Sequence, residues 1–437
     1  MQKHVRWLMT EIDRWEAEGV VSVEQAGKLR ARYASTAPAV PWGLLVFATA
    51  GAIVVGLGVI LLFAYNWDEI SKFGKLALVL GSVIAAHTFG IRLLARAGWQ
   101  AKLGEALTVL GTMLYGAGIW LVAQIYHIDE HYPNGFLFWA LGALAMAWAL
   151  RSTAQGLMAT VLILIWGCSE TFGFNNAQYW AVLLVVGGIV PLAWRQRSAL
   201  LLAAALAVIQ FLIAVNATYW GGEAHSLTTS LALGVLLLAA ARWCTIYRPD
   251  FGGGASVMAF FGWGAFLVCA YVLSFHEAAD DLLDWSNSNG SDVFLAAGFG
   301  WSLFAAGLIA WVLLARRALV LKSISVPVED WLLPIALVYC FGLAVIGVQA
   351  LELFVAWSFN LMLLGVAIMW MWRGCRESLL RPTVLGSVLL SFVVFARYFD
   401  LFESMASRGV AFIILGGIFF AEAMYYRKVR RETGGGA

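Results

Sequence analysis

Apolar runs of about twenty residues succeed one another from Gly43 almost to the C-terminus, broken by short polar turns. A run of that length spans the ~30 Å hydrocarbon core of a bilayer as a helix. The runs predict helices at about 43–65, 76–95, 103–125, 135–150, 156–173, 177–194, 198–219, 226–243, 253–275, 292–314, 331–351, 353–372, 382–399 and 408–426. The stretch from Trp331 to Trp372 exceeds one ordinary helix and reads as two spans meeting near Glu352, with one long tilted helix or a re-entrant pair as alternatives. Gly187-Gly188 followed by Pro191 predicts one kinked span.

Before Gly43 the period changes. Val5, Leu8, Ile12 and Trp15 recur at helical spacing, while Lys3, Arg6, Glu11, Asp13, Arg14 and Glu16 fill the opposite face. Gly19 is a natural helix stop, and Ser22 to Gln25 fits a capping box, so a second helix is expected from about Val23 to Tyr33 with Ala26 and Leu29 facing the first. Ser35 to Pro41 reads as a linker. The predicted fold is an all-α polytopic transmembrane helix bundle of about 14 spans carrying a small N-terminal soluble hairpin. Its parts are a cytoplasmic amphipathic hairpin at 1–36, a four-helix membrane block at 43–150 with two polar outer loops, further membrane helices at 156–426, and a basic cytoplasmic tail at 427–437.

Composition agrees with a bilayer as solvent: 62% of residues are hydrophobic and 12% charged, against roughly half and a quarter in globular proteins. The 21 tryptophans suit rings placed at two membrane interfaces. The five cysteines are scattered without C-x-x-C spacing and read as small apolar fillers. Charge then orients the chain. With the N-terminus cytoplasmic, all of the 28 Lys and Arg except Lys72, Lys75, Arg397 and Arg408 fall on the inner side, as the positive-inside bias requires. The longest outer loop, His276 to Asp292, reads as an acidic solvated connector.

Candidate chemistry gathers at the outer ends. One polar loop runs from Asn66 to Lys75 and a second from Gln124 to Gly135. They supply Asp68 and Glu69 after the first span and Gln124, Tyr126, His127, Asp129 and His131 after the third. Arg397 and Asp400 close the thirteenth span on the same side, and Arg397 is expected to pair either with Asp400 on its own helix or with Asp68. Glu170, in Cys168-Ser-Glu-Thr171, either reaches the headgroups or serves a site. His127 and His131 would share a helical face, but Pro133 and Asn134-Gly135 place the helix end before them and argue against a zinc site. No Asp, Glu, Lys or Arg is expected at the bilayer centre, where ion-coupled transporters usually carry one. His87, Gln210, Asn216, Gln349, Asn360, Thr228, Thr229 and Ser230 read mainly as interhelical glue. The chain shows no Walker loop, no G-x-S-x-G elbow and no H-E-x-x-H, so nucleotide-driven pumping and the common hydrolase chemistries lack support.

Three segments together resemble a bacterial family of predicted inner-membrane proteins, domain of unknown function 2157. They are Trp15-Glu-Ala-Glu-Gly-Val-Val-Ser22, Phe63-Ala-Tyr-Asn-Trp67-Asp68 and Ala123-Gln-Ile-Tyr-His127, and the resemblance covers roughly residues 1 to 150. It implies an inner-membrane protein of a prokaryote and no catalytic residue. Three functions fit: a transporter, flippase or channel for a small or amphipathic molecule; a sensor, scaffold or assembly factor; and an intramembrane enzyme acting on a lipid-linked substrate. The first is preferred for its many spans and outer polar cluster. Expected partners are the lipid bilayer, a small-molecule or lipid substrate and a cytoplasmic protein docking on residues 1–36; no cofactor and no nucleic acid is expected.

Overall fold

The computed structural model describes residues 2–34, 70–127, 131–284, 291–320, 326–346, 351–396, 413–414, 416–425 and 427. Among them every regular element is helical. The chain divides into two compact units, residues 1–77 and 78–437.

The first unit carries α1 (Gln2–Ala17) and α2 (Val23–Ala34). Gly19 turns the chain at φ 71°, a left-handed conformation that costs glycine nothing. The capping box closes as the spacing predicts: the Gln25 amide donates to Ser22 Oγ at 3.2 Å and the Ser22 amide to Gln25 Oε1 at 3.0 Å. Ile12 and Ala26 are fully buried. Arg30 holds the two helices through Asp13 at 2.6 Å and through Glu16, and hydrogen bonds to those carboxylates raise the pKa of its guanidinium.

The membrane part contains α3 (Lys72–Leu94), α4 (Trp99–Tyr126), α5 (Pro133–Leu150), α6 (Thr153–Cys168), α7 (Tyr179–Leu184), α8 (Val190–Gln196) and α9 (Ala199–Tyr247). It continues through α10 (Gly252–Leu273), α11 (His276–Asp284), α12 (Ser291–Ala315), α13 (Leu332–Ile346), α14 (Glu352–Arg376) and α15 (Leu380–Ala396). Eleven helices among the described residues are long and apolar enough to cross a membrane. They correspond to eleven of the expected spans. The stretch expected at 43–65 and most of that at 408–426 lie outside the described residues, and 382–399 is represented by the shorter apolar helix α15. Near Glu352 the described residues form two helices, as the two expected spans require: α13 covers Leu332–Ile346, and Leu351 at φ −96°, ψ 0° precedes α14.

Three departures from a plain run of α-helices matter. Glycine at Gly222, with φ 76° and ψ −173°, reverses α9 between the spans Ala199–Tyr219 and Gly222–Tyr247. The kink expected at Pro191 is a π-turn at Val185–Ile189 running into α8. Over His276–Asp284 the expected solvated connector is instead α11, an amphipathic helix that buries Ala279, Leu282 and Leu283 completely.

Lipid tails are as apolar as leucine, so close backbone approach rather than water exclusion must hold such helices together. α3 meets α4 at Gly90 and Gly104, where a Cβ on Gly90 would lie 3.0 Å from the Gly104 carbonyl oxygen. Gly234 and Gly262 make the same crossing between α9 and α10: a Cβ on Gly234 would lie 3.0 Å from the Gly262 carbonyl oxygen, and one on Gly262 would lie 2.8 Å from that of Gly234. The span Gly222–Tyr247 is the most deeply buried of the eleven, whereas α3 is among the most exposed. At its end Arg242 binds Asp330 at 2.6 Å, while the neighbouring Glu329 is bound by Arg373 of α14. These two pairs tie three helices through adjacent carboxylates. All five cysteines are free, and Cys244, Cys269, Cys340 and Cys375 are buried.

Candidate functional site

A cavity of about 1050 Å³ opens among α3, α4 and α5. α4 stops at Tyr126 because His127 takes the left-handed conformation, φ 52° and ψ 44°, with its amide directed at the Ala123 and Gln124 carbonyls. Pro133 opens α5 at its first turn, where a missing amide hydrogen costs nothing. His127 and His131 therefore belong to the ends of two different helices and do not share one helical face. They line the cavity together with Gln124 and Asn134, while Val79, Leu80, Val83, Tyr115, Ile119 and Phe138 form its walls. From His127 to Tyr115 the wall descends α4 by roughly 18 Å at ~1.5 Å per residue, which exceeds half of a ~30 Å hydrocarbon core. Gly135 leaves room for Trp120 beside the rim, since a Cβ there would meet the indole ring at 2.9 Å.

One histidine is anchored from behind. His131 Nε2 lies 2.7 Å from Glu170 Oε1, and the carboxylate is only 3% exposed. Glu170 Oε2 accepts a hydrogen bond from Asn176 Nδ2 at 3.0 Å, and the Asn176 amide donates to the Glu170 carbonyl at 3.0 Å. Glu170 sits in a π-turn, Ser169–Gly173, that extends α6; such turns recur at functional sites. Phe174 closes the group with its ring centroid 4.1 Å from that of His131. Behind it, Asn216 Oδ1 accepts from Thr171 Oγ1 at 3.2 Å and from the Gln178 amide at 3.0 Å, stitching the turn to α9.

Residues 13–156 match the family of predicted membrane proteins designated domain of unknown function 2157. The resemblance carried by the hairpin and the two loop motifs holds over that segment. All the residues named on the cavity lie within it, and Glu170 lies beyond it. No curated protein matches the chain, and no solved structure does.

Of the residues singled out in the sequence, Gln124, His127 and His131 meet on one cavity and Glu170 joins them through His131. Tyr126 is 49% exposed and does not line the cavity. Asp68, Glu69, Asp129, Arg397 and Asp400 lie outside the described residues. Two functional residues carry only a weak sequence signal: Asn134 reads as a turn former, and Asn176 is marked only by its closeness to Glu170. His87 acts as glue, with Nδ1 2.9 Å from the Val83 carbonyl and Nε2 3.4 Å from Thr112 Oγ1. Among the described residues no group of three His, Cys, Asp or Glu could hold a metal ion.

A second cavity of about 960 Å³ repeats the combination of apolar wall and polar rim. Leu353, Trp357, Leu361 and Leu364 of α14 face Glu223, Glu277 and Asp281, and His276 Nε2 lies 2.9 Å from Glu352 Oε1.

Proposed function

We propose that the protein binds an amphipathic molecule in the cavity among α3, α4 and α5 and carries its polar end along that groove, as a lipid transporter or flippase would. One observation carries this reading: the cavity is polar at one end and apolar along the rest of its length. Hydrocarbon laid against Leu80, Ile119 and Phe138 would bring a headgroup among Gln124, His127, His131 and Asn134. Those side chains offer donors and acceptors without an obligate charge, so they suit a polar or zwitterionic headgroup better than a bare metal cation. With the arginine-rich ends inward, the rim faces outward and both termini are cytoplasmic in a bacterial inner membrane.

An intramembrane enzyme acting on a lipid-linked substrate is the second reading, favoured by the His131–Glu170 pair beside the groove. A general base needs an oriented imidazole, and a carboxylate behind it is a familiar means of orientation. Transport and catalysis separate experimentally. The protein in vesicles of phosphatidylethanolamine and phosphatidylglycerol, with a tail-labelled fluorescent phospholipid, should equilibrate the label between leaflets. Leu80→Trp, which fills the groove from an exposed position, should slow this at least tenfold. An unchanged rate in that variant refutes the groove as the path. His131→Ala should slow equilibration without chemical change to the label under the transport reading, whereas chemical turnover of the label that His131→Ala abolishes would establish the enzyme instead.

A further inference from the structure

The arginines at the opposite end of α5 differ in how they are satisfied. Arg197 binds Asp250 at 2.7 Å and Arg248 binds the same carboxylate at 3.1 Å. Arg242 has Asp330 and Arg373 has Glu329. Arg151 and Arg195 have no carboxylate partner among the described residues, and they line one pocket of about 380 Å³ with Trp148, Leu192 and Gln196. Both arginines are exposed, so their like charges repel only weakly through water, and an anion held between them would be attracted by both. Both stand at helix C-termini, Arg151 capping α5 and Arg195 in the last turn of α8, where the dipole favours a cation by less than about 1 kcal/mol. That accounts for one arginine on each helix end. It does not account for two converging on a pocket.

The pocket is also built from behind. Trp148 Nε1 donates to the Gly188 carbonyl at 2.8 Å, a carbonyl inside the π-turn that precedes α8. This bond fixes the indole beside Arg151 and ties α5 to the kinked span. Thr153 Oγ1 donates to Gln196 Oε1 at 2.9 Å, and the buried Gln196 side-chain nitrogen has no partner among the described residues. Two guanidinium forks and an amide donor together describe a receptor for tetrahedral oxygens, because arginine meets phosphate with paired N–H groups. Tryptophan marks the depth of membrane headgroups.

We infer that Arg151, Arg195 and Gln196 form a binding site for a phosphate group, supplied by an anionic phospholipid headgroup or by free phosphate. The site is separate from the proposed amphipath groove, lying at the other end of α5, and does not depend on that reading. It would fasten α5 and α8 together when filled.

The test uses the full chain in dodecyl maltoside, with its thermal unfolding followed as phosphatidylglycerol or, separately, inorganic phosphate is added. A ligand bound only by the folded state raises Tm with concentration. Wild-type protein should show a saturable rise, and the R151Q/R195Q variant should need at least tenfold more of the same probe to reach half of it. R96Q/K102Q, which removes two basic residues outside this pocket, should behave as wild type. A rise with phosphatidylglycerol alone assigns the lipid, and a rise with inorganic phosphate alone assigns the free anion. If R151Q/R195Q does not fold, R151K/R195K replaces it: charge without the guanidinium fork should still weaken half-saturation several fold. The inference is overturned if neither probe stabilises the wild type, if the arginine variants respond like it, or if R96Q/K102Q loses the response equally.

Discussion

Glu170 is the residue whose surroundings most need explaining. A carboxylate this deeply buried inside an apolar span is costly unless hydrogen-bonded, and His131 and Asn176 supply both of its oxygens with partners. The residue was visible in the sequence as an acidic interruption near a span end, yet nothing in spacing could select His131, thirty-nine positions earlier, as its partner. A double-mutant cycle with His131→Ala and Glu170→Gln measures the link. Because the carboxylate is buried and the histidine only partly so, a coupling of about 1 kcal/mol or more is expected. Strictly additive losses of thermal stability would mean that the contact contributes nothing and that His131 is not anchored through it. The alternatives proposed for Arg397, pairing with Asp68 or with Asp400, involve residues outside those described, so the cavity rests on Gln124, His127, His131 and Asn134.

At the scale of elements, the helices follow from sequence while their crossings follow from where glycine meets glycine. α10 contains Gly252, Gly253, Gly254, Gly262 and Gly264, and composition alone ranks none above the others. Contact does. A Cβ at Gly262 would stand 2.8 Å from the Gly234 carbonyl oxygen and 3.0 Å from the Leu238 amide nitrogen, both rigid backbone, whereas Gly264 has open space around it. Gly262→Val should therefore destabilise the folded protein by about 2 kcal/mol or more, and Gly264→Ala should stay within about 0.5 kcal/mol of wild type. Unfolding in mixed detergent micelles ranks the two; equal effects would show that the α9–α10 crossing is not set by this contact. The helix α11 makes a different point. Its apolar residues at Ala279, Leu282 and Leu283 recur at helical spacing, but five acidic residues between Glu277 and Asp292 dominate a window average and disguise the buried face.

For the whole molecule the open quantity is orientation. The arginine pairs and the phosphate pocket lie at one end of their helices, and the His127–His131 rim lies at the other end of α5. The positive-inside bias predicts Ser198 on the cytoplasmic side and Ser288 on the outside. In a background without the native cysteines, Ser198→Cys and Ser288→Cys should label from opposite sides with an impermeant thiol reagent. Labelling of both from one side would break the proposed parity and move the cavity rim to the cytoplasmic face.

Hydropathy and local chemistry by themselves determined that this is a helical membrane protein, where most of its spans lie and how the Ser22 capping box starts α2. Each depends on residues close in sequence or on a solvent that demands long apolar helices. Tertiary structure alone decided that Glu170 reaches His131, that Gly234 rather than another glycine meets Gly262, and that Arg151 and Arg195 share one pocket. The reason is physical: in a bilayer nearly every helix face is apolar, so periodicity no longer distinguishes the face that meets protein from the face that meets lipid. Only the packed helices show which polar groups have been brought together.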